Sequence, residues 1–337
     1  MNINIKNDAG LLALGVRLVI GWTYFSAFFR RTILADKLDP EMAGYIGEKF
    51  NHFLPHALGI KPIIQYLVEN PETLWWAMVV FTIVEGIVGL AIMLGFFTRL
   101  MSIGIFGLAM GILLGSGWIG TTCLDEWQIG VLGIASGLML FFTGSGMYSV
   151  DRLLIAKKHS ITNKKWFPWL ASGVLPIGDR LFPKLVLVGS LFVFGMTLFT
   201  NQVFHGGLWG TLHNKSVKPK LELTDGKMTD AAFSFDVFRT EGVDVYGAWI
   251  IGMELSNEKG EMVWSMSHEE LSQLPEEAIH NYYVARVKPG KHSLVVPLGA
   301  KANISVTHPA IKDLPRGSYQ LILTDISGAS WKHTIVK

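Results

Sequence analysis

Five runs of mostly apolar residues, each near the length of a bilayer-crossing helix, constrain this chain more than any other feature. They cover residues 11–29, 74–97, 100–119, 129–142 with fringes, and 185–204. A helix needs about 20 such residues to cross the hydrocarbon of a bilayer. Backbone in lipid must satisfy its own hydrogen bonds, so each run is expected to be helical. The fourth is diluted by Gly130, Gly133 and Gly137. The first is too long for a signal-peptide core and lacks a small-residue cleavage site, so it is expected to be retained. Composition agrees: 17% of the 337 residues are charged and 50% are hydrophobic, against about a quarter charged in soluble domains.

Orientation follows from the basic residues. The segment 151–184 holds Arg152, Lys157, Lys158, Lys164, Lys165, Arg180 and Lys184 against only Asp151 and Asp179, which marks it as cytoplasmic. Five spans then place the N-terminus inside and everything after His205 outside. The loop 30–73 and the turn around Cys123 also face outward. Gly107, Gly111 and Gly115 recur every four residues in the third span, and the spacing predicts close helix packing inside the bundle.

After Asn214 the pattern changes to short apolar or alternating runs, 232–238, 248–255, 293–296 and 319–323. Turn pairs such as Asp225-Gly226, Pro289-Gly290 and Ser327-Gly328 separate them. A hairpin is expected over 319–325 and 330–336, with one helical stretch at 269–278. The fold class is therefore a membrane all-α bundle followed by a small extracytoplasmic antiparallel β-sandwich. Its expected parts are a four-helix membrane domain (1–150), a basic cytoplasmic linker (151–183), a fifth transmembrane helix (184–206) and the sandwich (207–337).

Chemistry-bearing residues are few. Cys123 is the only cysteine, so the chain can form no internal disulfide. It sits in a polar turn beside Asp125, Glu126, Trp118 and Trp127, where a thiol is more accessible than in mid-span. Arg30 and Arg31 end the first span on its outer side, against the usual charge bias, and form a candidate anion site. Arg17 and Glu85 lie inside spans, where charges are paired or functional. Counting from the ends of the apolar runs puts them at similar depth, so an ion pair is expected, with a proton relay as the sharper reading. No histidine lies in the five spans, which argues against haem held by two histidines. No GxGxxG motif supports a flavin or nicotinamide site, and no HExxH motif or Cys/His cluster supports a metal. The basic residues flank spans and give no nucleic-acid footprint.

These residues carry a resemblance. Gly120-Thr121-Thr122-Cys123-Leu124-Asp125-Glu126-Trp127, with Gly21-Trp22, Arg30-Arg31, the stretch Leu94-Gly95-Phe96-Phe97-Thr98-Arg99 and the stretch from Gly144 to Asp151, resembles DoxD. The resemblance makes that part the large subunit of thiosulfate:quinone oxidoreductase, within the DoxX-like membrane group. The last span and the β-rich part resemble its partner DoxA, so the chain is similar to a DoxD–DoxA fusion. The resemblance implies oxidation of two thiosulfates to tetrathionate with electrons passed to a membrane quinone, which acts as substrate rather than bound cofactor. It implies a prokaryotic inner membrane, with thiosulfate, quinone and lipid as partners, and leaves homo-oligomers open.

Within that frame Cys123, Asp125 and Glu126 are the catalytic candidates and Arg30 and Arg31 the thiosulfate-binding ones. Trp22, Glu85, Arg17, Arg99, Trp118 and Trp127 are candidates for a quinone or proton path. Two alternatives stand beside this reading. One is a non-catalytic membrane subunit that docks a sulfur or redox partner. The other is a quinone reductase with a different sulfur donor.

Overall fold

The computed structural model describes residues 5–42, 44–120, 125–244 and 247–337. Cys123, with Thr121, Thr122 and Leu124, lies outside the described residues. Packing divides the chain into two compact units that do not follow chain order. The first gathers residues up to 46, 75–117 and 124–213. The second gathers 47–74, a short stretch from Trp118, and 214–337.

The helices are α1 (Ile5–Leu12), α2 (Leu14–Phe29), α3 (Ile46–Phe53), α4 (Lys61–Glu69), α5 (Pro71–Leu94), α6 (Thr98–Ser116), α7 (Asp125–Thr143), α8 (Val150–Ala156), α9 (Phe167–Leu170) and α10 (Phe182–Phe204). Among the described residues, four are long and apolar enough to cross a membrane: α5, α6, α7 from Glu126, and α10. The first expected span is divided at Ala13 into α1 and α2. Hydrogen bonds from Ala13 N to Ala9 O (3.1 Å) and from Arg17 N to Ala13 O (2.9 Å) carry the helix across the break. At its other end α2 runs into a π-helical turn, Arg30–Leu34.

Glycines set how closely these helices meet. Gly21 of α2 faces Met93 of α5, Gly89 faces Phe25, and Gly86 faces Phe28. On α7, Gly130, Gly133 and Gly137 lie against Leu113, Ala109 and Phe106 of α6. The expected role for Gly107 and Gly111 is corrected here: a Cβ at either would meet open space. The crowded side of α6 carries Ile105, Ala109 and Leu113, all fully buried, and the small residues that admit them are on α7. The third apolar run also ends earlier than its hydropathy, since α6 stops at Ser116 and Trp118 and Ile119 leave the helix.

The second unit holds two antiparallel sheets around one core. The strands are β1 (Lys220–Met228), β2 (Ala232–Glu241), β3 (Ala248–Ser256), β4 (Met262–Ser267), β5 (Ile279–Asn281), β6 (Lys288–Pro289), β7 (Leu294–Val296), β8 (Lys301–Thr307), β9 (Ser318–Asp325) and β10 (Ser330–Val336). One sheet runs β1-β2-β8-β5. The other runs β10-β9-β3-β7-β6, with β4 also on β3. Alternation does the sorting: Phe233, Phe235 and Val237 of β2 and Leu321 and Leu323 of β9 enter the shared core, as period-two patterning requires. The Asp225-Gly226 pair, read above as a turn, lies inside β1. The register slips between Thr224 and Lys227, and Asp225 takes a left-handed φ of 53°. A β-bulge absorbs the residues that would otherwise end the strand.

Candidate functional site

Charged and polar side chains in the helical unit fall on the helix faces that meet. Arg17, Gly21, Tyr24 and Arg31 recur at helical spacing on α2 and its π-turn, and Thr82, Glu85, Gly86 and Gly89 do so on α5. Arg31 donates from Nη1 to Glu85 Oε2 in an ion pair. The carboxylate side chain is 3% exposed and the arginine side chain 17%. The guanidinium also lies 5.8 Å from the centre of the Phe81 ring. Among the described residues of this unit, three hydroxyls are buried without a hydrogen-bond partner: Tyr24 Oη, Thr82 Oγ1 and, away from the α2–α5 contact, Tyr45 Oη.

The expected Arg17–Glu85 pair is therefore a correction. Arg17 donates to the carbonyl of Ser145 and, at 2.5 Å, to that of Tyr148. The glycine contacts explain why. Their antiparallel register sets Arg17 level with Phe97 and Glu85 level with Phe29, a dozen residues or roughly 18 Å apart along the axis. The ends of the two apolar runs do not lie level, so depth counted from them misleads.

Arg99 behaves like Arg17. It donates to the carbonyls of Phe141 (2.9 Å), Pro168 and Gly173 (2.8 Å). Nearby, fully buried Asp151 accepts from Phe97 N (2.8 Å), Thr98 N (3.1 Å), Thr98 Oγ1 (2.9 Å) and Ser172 Oγ (2.8 Å). A carboxylate on free amides at a helix start is a cap that suits the helix dipole. The stretches 94–99 and 144–151 thus come together as one polar clamp at the start of α6 and the end of α7.

The other predicted residues are dispersed. Arg30 is exposed and donates from Nε to Ser26 O at 3.3 Å, so it and Arg31 do not form one anion pocket. Trp22 is 56% exposed on the bundle surface. Trp127 donates its indole N–H to Thr200 Oγ1 at 3.0 Å, tying α7 to α10. Its ring stands edge-on to buried His205, whose Nε2 lies 2.9 Å from Gly117 O. Asp125 and Glu126 open α7, and Glu126 is half-buried.

Trp118 belongs to the second unit and is 1% exposed there. Its indole donates to Phe53 O at 3.3 Å, and His56 packs edge-on 4.8 Å away. Gly120, three residues before Cys123 in sequence, donates its N–H to Ser216 Oγ at 3.0 Å, and that hydroxyl donates back to the Gly120 carbonyl. Asn51, fully buried on α3, donates to Gly299 O (2.9 Å) and accepts from Ala285 N (3.0 Å). Lys49 pairs with Asp244 at 2.7 Å. Burial, with Lys49 and Arg239 adding to it, pushes His52 down to about 4. Burial and the cations Lys215, Lys61 and Lys220 do the same to His56. Both imidazoles are neutral at pH 7.

Sequence reading missed Tyr24, Thr82, Asn51, His52, His56 and Ser216. The first two were visible as members of the polar faces on α2 and α5. The others depend on contacts across more than 60 residues of chain and leave no local pattern.

Family models match the chain in two consecutive pieces. Residues 12–178 match the family described as TQO small subunit DoxD, and residues 204–334 match TQO small subunit DoxA, so the large-subunit expectation for the first piece is corrected to a small subunit. TQO is thiosulfate:quinone oxidoreductase, and both matches point to a role in that system. The polar clamp, the Arg31–Glu85 pair and the Trp118 turn lie in the first piece, and the two sheets fill the second. The chain belongs to the DoxD and DoxA families, joined as one polypeptide.

Proposed function

We propose that this protein oxidises thiosulfate to tetrathionate and reduces a membrane quinone. The observation that carries the reading is the succession of DoxD and DoxA matches along one chain. The overall reaction takes two thiosulfates, one quinone and two protons to one tetrathionate and one quinol.

Cys123 is assigned the covalent role. Its thiolate and one thiosulfate lose two electrons to the quinone and join as Cys–S–S–SO3⁻, while the quinone takes up two protons. A second thiosulfate attacks the sulfur next to the cysteine, forming the central bond of tetrathionate and expelling the thiolate. One sulfur suffices, because the leaving group is the starting nucleophile. Arg30, exposed beyond the end of α2, screens the incoming dianion. Arg31 is engaged with Glu85 and acts on the quinone side. Asp125 and Glu126 handle protons near the thiol. Trp22, exposed on the bundle, offers a face to the quinone ring, whereas Trp118 and Trp127 hold the turn and α7 in place. The protein sits in a prokaryotic inner membrane with its N-terminus cytoplasmic and its sheets outside, as the basic segment 151–184 indicates.

The test is quinone reduction by the purified single chain with thiosulfate as donor, with tetrathionate measured alongside. Equal amounts of quinol and tetrathionate support the reading. Quinone reduction only with sulfide, sulfite or an organic thiol would reassign the substrate, and no reduction with any donor would make the chain a docking subunit.

A further inference from the structure

Quinone reduction consumes two protons that thiosulfate does not carry, so the site that reduces quinone needs a route for them. Acidic side chains are rare in the spans, and Glu85 is a buried one within the longest of these helices. It is not saturated as Asp151 is. Asp151 has four donors on its two oxygens, while Glu85 has the Arg31 guanidinium on Oε2. A turn away on the same face of α5 is Thr82, 1% exposed. The contacts of Gly86 and Gly89 with Phe28 and Phe25 bring α2, and with it Tyr24, 3% exposed, against that face.

The hydroxyls of Tyr24 and Thr82 are both unpartnered. A threonine hydroxyl in a helix usually donates to the carbonyl four residues earlier, as Thr23, Thr32, Thr143 and Thr197 do here. Thr82 forgoes that bond. An unsatisfied buried hydroxyl is costly, and native structures keep few of them without a reason. Two on the helix faces that carry a buried carboxylate are polar groups of the kind that ordered water satisfies in an apolar bundle.

Resting on the proposed quinone reduction, we infer that Glu85 is the proton carrier for the quinone, refilled through water by the Tyr24 and Thr82 hydroxyls. Arg31 holds Glu85 and, being partly exposed, presents a positive edge to a benzoquinone-class headgroup arriving from the bilayer. In each step Glu85 passes its carboxyl proton to a reduced quinone oxygen. It then takes a proton from a water hydrogen-bonded to Tyr24 Oη or Thr82 Oγ1, and that water regains one from bulk solvent, so no hydroxide is left behind. Two such steps convert the two-electron-reduced quinone to quinol. Tyr24 and Thr82 are positioning residues for water, and their worth appears in turnover rather than in binding.

The test uses the full chain in lipid nanodiscs with a short-chain quinone, comparing wild type with Tyr24→Phe, Thr82→Val, Glu85→Gln and Glu85→Asp in H2O and D2O. Positioned proton transfer contributes roughly 100-fold or more to rate. Glu85→Gln is expected to lose that factor and Glu85→Asp to recover part of it. Tyr24→Phe and Thr82→Val should each lose roughly 10-fold in kcat with unchanged quinone KM, a larger solvent isotope effect and a melting temperature close to wild type. Those two variants settle the matter even if Glu85→Gln fails to fold, because both keep the shape of the buried side chain and touch no protein hydrogen bond. Wild-type turnover and isotope effect in both would overturn the relay and make the hydroxyls packing. If wild type reduces quinone with another sulfur donor but not thiosulfate, the substrate falls and the same variant ratios still decide the relay. A wild type that reduces quinone with no donor sinks both.

Discussion

Gly299 and Gly59 make a matched pair. Both lie in the second unit with left-handed backbone, φ +72° and +74°. A Cβ on Gly59 meets nothing within 4 Å, whereas one on Gly299 runs into the backbone carbonyl of Asn51. Alanine at either position pays the left-handed penalty of about 1–2 kcal/mol. At Gly299 the chain must also move away from Asn51. That strains or breaks the 2.9 Å bond from Asn51 Nδ2 to the Gly299 carbonyl, and a buried group left unmade costs about 1–3 kcal/mol. With the steric displacement added, Gly299→Ala should cost about 3–5 kcal/mol. For a unit of this size each kcal/mol moves Tm by about 2–4 °C, so Gly59→Ala should lower Tm by about 2–8 °C and Gly299→Ala by about 6–20 °C. Thermal unfolding of the purified full chain, followed by far-ultraviolet circular dichroism at the β-sheet band, reads the difference. Asn51→Ala should fall near Gly299→Ala, and the double variant should be milder than the sum because the two share one contact. Equal shifts for Gly59→Ala and Gly299→Ala would refute the packing of α3 onto the loop at Gly299.

Further outcomes follow from other sites. Cys123→Ser should abolish thiosulfate-dependent quinone reduction while leaving expression and melting intact, and mass spectrometry of wild type with thiosulfate and quinone should find a thiosulfate adduct on the Cys123 peptide. Arg31→Gln should destabilise the bundle by roughly 3 kcal/mol through the buried carboxylate it strands. Arg31→Gln with Glu85→Gln should be milder than the sum, whereas Arg17→Ala with Glu85→Gln should be additive. His52 and His56 titrate near 4 in the fold and near 6.5 unfolded. The unfolded chain therefore binds more protons between those values, and stability should be full above pH 6.5 and fall as pH drops toward 4. The slope should approach 1.4 kcal/mol per pH unit for each histidine, and a melting series against pH should flatten in His52→Gln and His56→Gln. A cytoplasm-dependent reporter should be active when inserted near Lys164 and inactive after Lys337; the reverse pattern refutes the orientation.

Element type was legible wherever length or period spoke clearly. The run 185–204 is α10 almost residue for residue, and the hairpin over β9 and β10 lies where its turn residues placed it. Strands β1 and β8 were missed. The Asp-Gly pair inside β1 carries turn chemistry that a bulge reuses, and β8 alternates small residues such as Ala302 with polar ones. Hydropathy gave the spans but not their mutual register, because register is set by glycine contacts at Gly21, Gly86 and Gly89 rather than by where apolar residues stop. That one gap sent Glu85 to Arg17 on paper and to Arg31 in the structure. The stretches 94–99 and 144–151 stood out only among the residues that carry the resemblance, and nothing in their spacing said that Asp151 caps α6.

The two-piece make-up of the second unit has a consequence for synthesis. Helices α3 and α4 are finished on the ribosome long before the strands that cover Asn51 and His52. The end of α4 at Glu69 and Gly299, the partner of Asn51, are 230 residues apart (299 − 69), and at about 5–20 residues per second this is a wait of roughly 12–46 s. Throughout that interval Asn51 lacks its partners Gly299 and Ala285, so the segment that carries it is open to proteases. Premature stops and mutations that delay the carboxy-terminal half should therefore show themselves first as cleavage between residues 47 and 74.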